Sequence, residues 1–170
     1  MDYQVFSTCA DRFMRYVKID TQADPYSSSS PSTEKQLDLS RLLLNELLAA
    51  GIGAEITAQG YVYAHLEATV ENPGPGIFFC AHVDTAPDCS GTNVKPILHT
   101  NYSGNEFMLP DDKSIIISPV EFPELTGKLG EDIIIASGLT LLGADDKAGV
   151  TAIMEAALFM NSHPEIGRPA

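Results

Sequence analysis

The chain has 170 residues, enough for one domain with a core of its own. It is 44% hydrophobic and 19% charged, the balance of a soluble globular protein, with a formal net charge of −13. Such a charge leaves no basic patch to release counterions, which speaks against nucleic acid or an anionic membrane as a partner.

The apolar stretches fall short of a membrane span, and the start MDYQVFSTCADRF lacks a signal-peptide core, so a cytoplasmic protein is expected. Cys9, Cys80 and Cys89 are an odd set without metal spacing and read as free thiols in a reducing compartment. From about Tyr3 to Ile19 the pattern is helical, with Phe6, Phe13 and Val17 on one face. Asp20 to Pro31 breaks it with two prolines and the tract Ser27-Ser28-Ser29-Ser30, a solvated loop. A second helix is predicted to open on a capping box, Thr33 with Gln36, and to close at Gly51. Its apolar face comprises Leu37, Leu39, Leu42, Leu43, Leu44, Leu47 and Leu48.

Two strands follow, Ala54–Ala58 and Tyr61–Glu67, turning at Gln59-Gly60, with His65 at the surface. After the turn signal Asn72 to Gly76 comes the apolar run Ile77 to Ala81, predicted to be a buried central strand. It runs out in His82 and Asp84, which share a strand parity and so project the same way if the chain stays extended. Pro87 to Leu139 is rich in Gly, Pro, Asn and Ser. It reads as hairpins and loops too poor in periodic runs to build a core, and His99 falls in a turn-rich context there. Leu139 to Leu142 then leads through Gly143-Ala144 into Asp145-Asp146-Lys147. A helix runs on from about Lys147 to Asn161, with Val150, Ile153, Met154, Ala157, Leu158 and Met160 inward, and His163 terminates it.

Zinc is held by imidazole nitrogen and carboxylate oxygen, and catalytic sites keep a position open for water. His82 and Asp145 can supply such donors, with Asp84 behind the histidine to fix its tautomer. Each cluster has another reading: a strand-end histidine paired with an aspartate, and a helix N-cap with dipole-favoured acids. A third reading makes Asp145-Asp146-Lys147 a magnesium pocket for phosphoryl transfer, with no role for His82.

The blocks His82-Val83-Asp84-Thr85-Ala86-Pro87-Asp88-Cys89-Ser90-Gly91 and Leu141-Leu142-Gly143-Ala144-Asp145-Asp146-Lys147-Ala148-Gly149 closely resemble peptidase T. That is the tripeptide aminopeptidase branch of the co-catalytic zinc exopeptidases. The similarity extends to Pro31-Ser32-Thr33-Glu34 and Ile117-Ser118-Pro119. The resemblance implies an α/β fold, a three-layer α/β/α sandwich around a mixed sheet, of which residues 1–170 are an incomplete N-terminal part. It implies two zinc ions sharing a bridging carboxylate and a water, and a short peptide as substrate. By motif position His82 matches a ligand of one zinc and Asp145 the bridging ligand. Asp84 matches the aspartate that supports the histidine and acts in catalysis. The peptide bond after Asp145 is expected to be cis. The family's general-base glutamate, its remaining ligands and its lid and dimerisation domain have no counterpart before Ala170. The chain alone is therefore expected to be inactive, to hold zinc weakly, and to associate through uncovered surfaces, as a homodimer or with other fragments. Sibling dinuclear dipeptidases or deacylases, and a non-catalytic metal-binding piece, are the alternatives.

Overall fold

The computed structural model describes residues 3–71 and 74–169, with side chains from residue 9 onward in the first helix. Helix α1 spans Tyr3–Tyr16, and Phe13, Tyr16 and the following Val17 are all buried. It stops three residues short of Ile19 because its last turn tightens, Ile19 N–H donating to the Tyr16 carbonyl at 3.1 Å. Helix α2 spans Gln36–Ala49 and buries the stripe Leu39, Leu43 and Leu47, while Leu48 is half-exposed. The expected capping box does not form. The Thr33 hydroxyl donates instead to the Gln22 carbonyl at 2.8 Å, and the Gln36 amide donates to Ser32 Oγ at 3.0 Å. Both side chains are used to pin the serine loop, so α2 starts without a side-chain cap. Gly51, at φ +77°, turns the chain so that Ile52 N–H reaches the Leu47 carbonyl at 3.0 Å.

Helix α3 spans Ala144–Ser162, but Asp145 and Asp146 have non-helical backbone angles and the bond between them is cis, as the resemblance implies. Regular helix begins at Lys147. Val150 and Met154 face inward and join Tyr16, Leu39, Leu43, Leu47 and Ile52 in the main core. Each such buried side chain contributes on the order of 1.5–3 kcal/mol. A polar clasp holds the three helices in register: Arg12 pairs with Glu46 of α2 and with Glu155 of α3, and the Tyr16 hydroxyl donates to Glu46 Oε2 at 2.6 Å. His163 ends α3, stacked 4.1 Å from Phe159.

Strands β1 (Gly53–Ile56) and β2 (Val62–His65) form the expected antiparallel hairpin, closed by Gly60 at φ +85°. His65 lies at the surface. Further on, β3 (Ile97–His99) pairs with β6 (Ile133–Ile135), and β4 (Phe107–Met108) pairs with β5 (Ile116–Ile117), both antiparallel. A 3-10 turn covers Pro123–Lys128. This region is hairpins and loops, yet it does build a small core, contrary to expectation. Tyr102, Phe107, Leu109 and Ile135 are buried together, with the Tyr102 and Phe107 rings stacked at 5.1 Å. Two aromatics and scattered isoleucines fill a volume that no periodic run announces. His99 belongs to this packing, 4.7 Å from the Phe107 ring.

The largest correction concerns Ile77 to Ala81. The run is extended but unpaired among the described residues, and Ile77, Phe78 and Phe79 are 62%, 77% and 68% exposed. A central strand is buried by neighbours on both edges and layers on both faces, and among the described residues no other strand lies alongside. The described strands pair in twos, and the first partner of this stretch is Gln22, which forms a single parallel bridge with Thr85. The turn expected before it includes Asn72 and Pro73, which lie outside the described residues. Leu139 to Leu142 is likewise irregular, with Leu139 exposed. Alternation survives where it matters: Ala81 and Val83 pack against the main core, while His82 and Asp84 face away from it. Among the described residues, no helix is long and apolar enough to cross a membrane.

Candidate functional site

Two corners of the chain meet at the surface. The first is the end of the extended run, where the inward packing of Ala81 and Val83 forces His82 and Asp84 outward. The second is the non-helical opening of α3, where the two aspartates part company. Asp146 turns back and accepts from Gly149 N–H at 3.1 Å, capping the regular helix. A Cβ on Gly149 would collide with that same carboxylate oxygen, so this cap needs glycine there. Asp145 turns out, with its side chain 95% exposed, and its Oδ1 lies 3.0 Å from His82 Nε2. The N-cap and metal-ligand readings of this motif thus fall on different residues.

The other ring nitrogen, Nδ1, donates to the main-chain carbonyl of Asp84 at 3.0 Å, with Asp84 Oδ1 at 3.3 Å. Asp84 thus meets the ring most closely through its backbone carbonyl, with its carboxylate slightly farther off. Both ring nitrogens face acceptors. Burial lowers the pKa of His82, but the hydrogen bonds and charges of Asp84 and Asp145 outweigh it, so the imidazole titrates above its usual value.

Two adjacent donors on one tetrahedral zinc lie about 3.4 Å apart, given bonds of roughly 2.1 Å. Nε2 and Oδ1 at 3.0 Å therefore need to separate only slightly to fit a common ion, and the Nδ1 contact leaves Nε2 as the nitrogen open to one. The donor chemistry fits half a zinc site. Among the described residues, no group of three or more His, Cys, Asp or Glu is placed to hold an ion. An open cavity of about 460 Å³ lies alongside the loop after Asp84, lined by Gln22, Asp24, Tyr26, Pro87 and Asp88 among others.

Sequence reasoning missed the layer beneath. Lys147 is 2% exposed and donates from Nζ to the Ile19 carbonyl at 2.6 Å. Burial draws its pKa down to about 8 against the pull of Asp20. Asp20 is held by Lys35 at 3.0 Å and Thr92 at 2.7 Å, and those contacts with the Gln22 amide overcome desolvation to lower its pKa. The signal for Lys147 was in the spacing, since it sits three residues before Val150 and seven before Met154 on the inward face.

This mixed arrangement of helices and short strands is the fold of solved peptidase structures. It matches a tripeptidase from Staphylococcus aureus subsp. aureus Mu50 with a TM-score of 0.58 and 19% identity. It matches the aminopeptidase PepT from Bacillus cereus ATCC 10987 with a TM-score of 0.61 and 19% identity. Each match covers 96% of this chain and 34% of the other. The fold class is thus α/β, matched to about a third of each solved chain. In sequence the chain is 48% identical over 160 residues to peptidase T of Desulfitobacterium hafniense strain Y51, covering 94% of this chain and 39% of the relative. Peptidase T of Clostridium acetobutylicum is 47% identical over 157 residues, and that of Geobacillus thermodenitrificans is 49% identical over 158. Each of these alignments covers 92% of this chain and 38% of the relative. No family model matches. The chain is homologous to peptidase T along nearly its whole length and spans about two fifths of it.

Proposed function

We propose that the chain carries part of the zinc centre of a tripeptide aminopeptidase. Residues 1–170 form the N-terminal part of the catalytic domain of that hydrolase, working in the cytoplasm on short peptides. The observation that carries this reading is the 3.0 Å approach of His82 Nε2 to Asp145 Oδ1 across 63 residues of chain. His82 and Asp145 would hold the zinc, which would supply Lewis-acid chemistry there, and Asp84 would orient the imidazole and act in catalysis. When bound, zinc polarises the peptide carbonyl and activates water. The chain's own part is to present one neutral nitrogen and one carboxylate oxygen at fixed separation. Its Nδ1 hydrogen bond keeps Nε2 free of a proton in the neutral ring.

A magnesium pocket is the weaker reading, because the two carboxylates of Asp145 and Asp146 do not converge. One faces His82 and the other caps α3. Zinc titration calorimetry tests the proposal. The wild-type chain should bind zinc weakly, about one ion, and both His82→Ala and Asp145→Ala should abolish that binding. Asp146→Asn, outside the donor pair, should retain it. Binding that survives His82→Ala would refute the assignment. The chain alone should leave tripeptides uncut, having two donors where a dinuclear centre needs several.

A further inference from the structure

His82 and Asp145 belong to corners far apart in sequence, and among the described residues neither corner is held by a sheet ladder. What registers them is the segment Ile19–Ala23, which passes beneath both. On the side of His82, Thr85 N–H donates to the Thr21 carbonyl at 3.1 Å, and Ala23 N–H donates to the Thr85 carbonyl at 2.9 Å. On the side of Asp145, Lys147 Nζ donates to the Ile19 carbonyl at 2.6 Å. Carbonyls two residues apart on one strap therefore receive the two corners. The approach between them is close: a Cβ on Gly143 would lie 3.0 Å from the Thr85 methyl.

A cation is a poor filler for that space. An ammonium buried to 2% exposure is strongly disfavoured unless a fixed acceptor meets it, whereas an apolar chain of equal length would pack there freely. Packing alone does not call for lysine. A long, directional donor does, because it sets both the height and the rotation of the α3 opening two residues after Asp145. Asp20, next to Ile19, contributes a charge of the right sign, and Lys35 and Thr92 hold it in place.

We propose that Lys147 is a positioning residue: it latches the Asp145 corner to the Ile19–Ala23 strap and thereby fixes the His82–Asp145 separation needed to share a metal ion. The latch rests on the zinc reading for its purpose, but its geometry is testable without metal. In the first experiment zinc is titrated into the wild-type chain, Lys147→Met and Lys147→Arg. Lys147→Met should fold with an unchanged far-ultraviolet spectrum and bind zinc at least tenfold more weakly, and Lys147→Arg should recover part of the loss. A folded Lys147→Met that binds within twofold of wild type overturns the latch. If Lys147→Met does not fold, Lys147→Gln, one bond shorter and uncharged, is judged by the same criterion.

The second experiment follows the ring nitrogen resonances of His82 without metal. Asp145→Asn should shift them in the wild-type background and leave them unmoved in the Lys147→Met background. Equal shifts in both backgrounds overturn the latch. If wild type shows no zinc binding that His82→Ala removes, the zinc reading fails, and this cycle alone decides whether the latch stands.

Discussion

Glu46 shows how much one residue can carry. Its carboxylate meets Arg12, Arg15 and the Tyr16 hydroxyl, with a side chain only 18% exposed. Burial pushes its pKa up, but the hydrogen bonds from Arg15 and Tyr16 and the charges of Arg12 and Arg15 prevail and hold it below the usual 4.5. A depressed carboxylate adds stability above its unfolded pKa and loses it as pH falls through the folded value. Glu46→Gln should therefore cost about 2 kcal/mol at pH 7, and the gap to wild type should narrow below roughly pH 4.5. Urea midpoints at pH 7 and pH 3 check this; a gap that stays constant with pH would show that the charge is not what matters. At this scale the sequence was readable where chemistry is local. The parity of Ala81, His82, Val83 and Asp84 and the surface position of His65 follow from alternation alone. The capping box was not, because Thr33 has a competing acceptor in Gln22, eleven residues earlier, that no local rule supplies.

Among the elements, helices were legible and the central strand was not. A helix satisfies its own backbone, so apolar spacing located α1, α2 and α3 to within a few residues. A strand depends on partners elsewhere, and composition says only that Ile77, Phe78 and Phe79 would suit burial, not that anything covers them. Three exposed apolar side chains in a row, on a segment unpaired among the described residues, invite pairing between molecules. Phe78→Ser with Phe79→Ser should leave the unfolding free energy within about 0.5 kcal/mol of wild type, since neither ring is buried. The same pair should reduce association seen by sedimentation at rising concentration. A loss of more than about 2 kcal/mol would mean that the rings pack in the folded chain after all.

At the scale of the whole molecule, the two larger centres of packing among the described residues are separate. The helices and first hairpin surround the core of Tyr16, Leu39, Leu43 and Met154, while β3 to β6 enclose Tyr102, Phe107, Leu109 and Ile135. A third small group, Phe13, Val17 and Val94 with Ile134 and Leu142, lies between α1 and the second region. The smaller centre should open first. Phe107→Ala, worth about 3–5 kcal/mol for a ring of this burial, should strip hydrogen-exchange protection from residues 97–135 while α2 and α3 keep theirs. Loss of protection in α3 as well would mean that the two centres unfold as one.

The strap at Ile19–Ala23 also bears on time. Its contacts join residues 128 apart, from Lys147 to Ile19, and the pair it registers is 63 residues apart. Local helices form in microseconds, whereas contacts of such separation wait for the chain between them to be ordered. On a ribosome, His82 and Asp84 would emerge after α1, α2 and the first hairpin and remain without Asp145 and the α3 side of the core until α3 had followed. A stalled chain of that kind would have an imidazole ready for any passing ion, and the latch would be the step that closes the door.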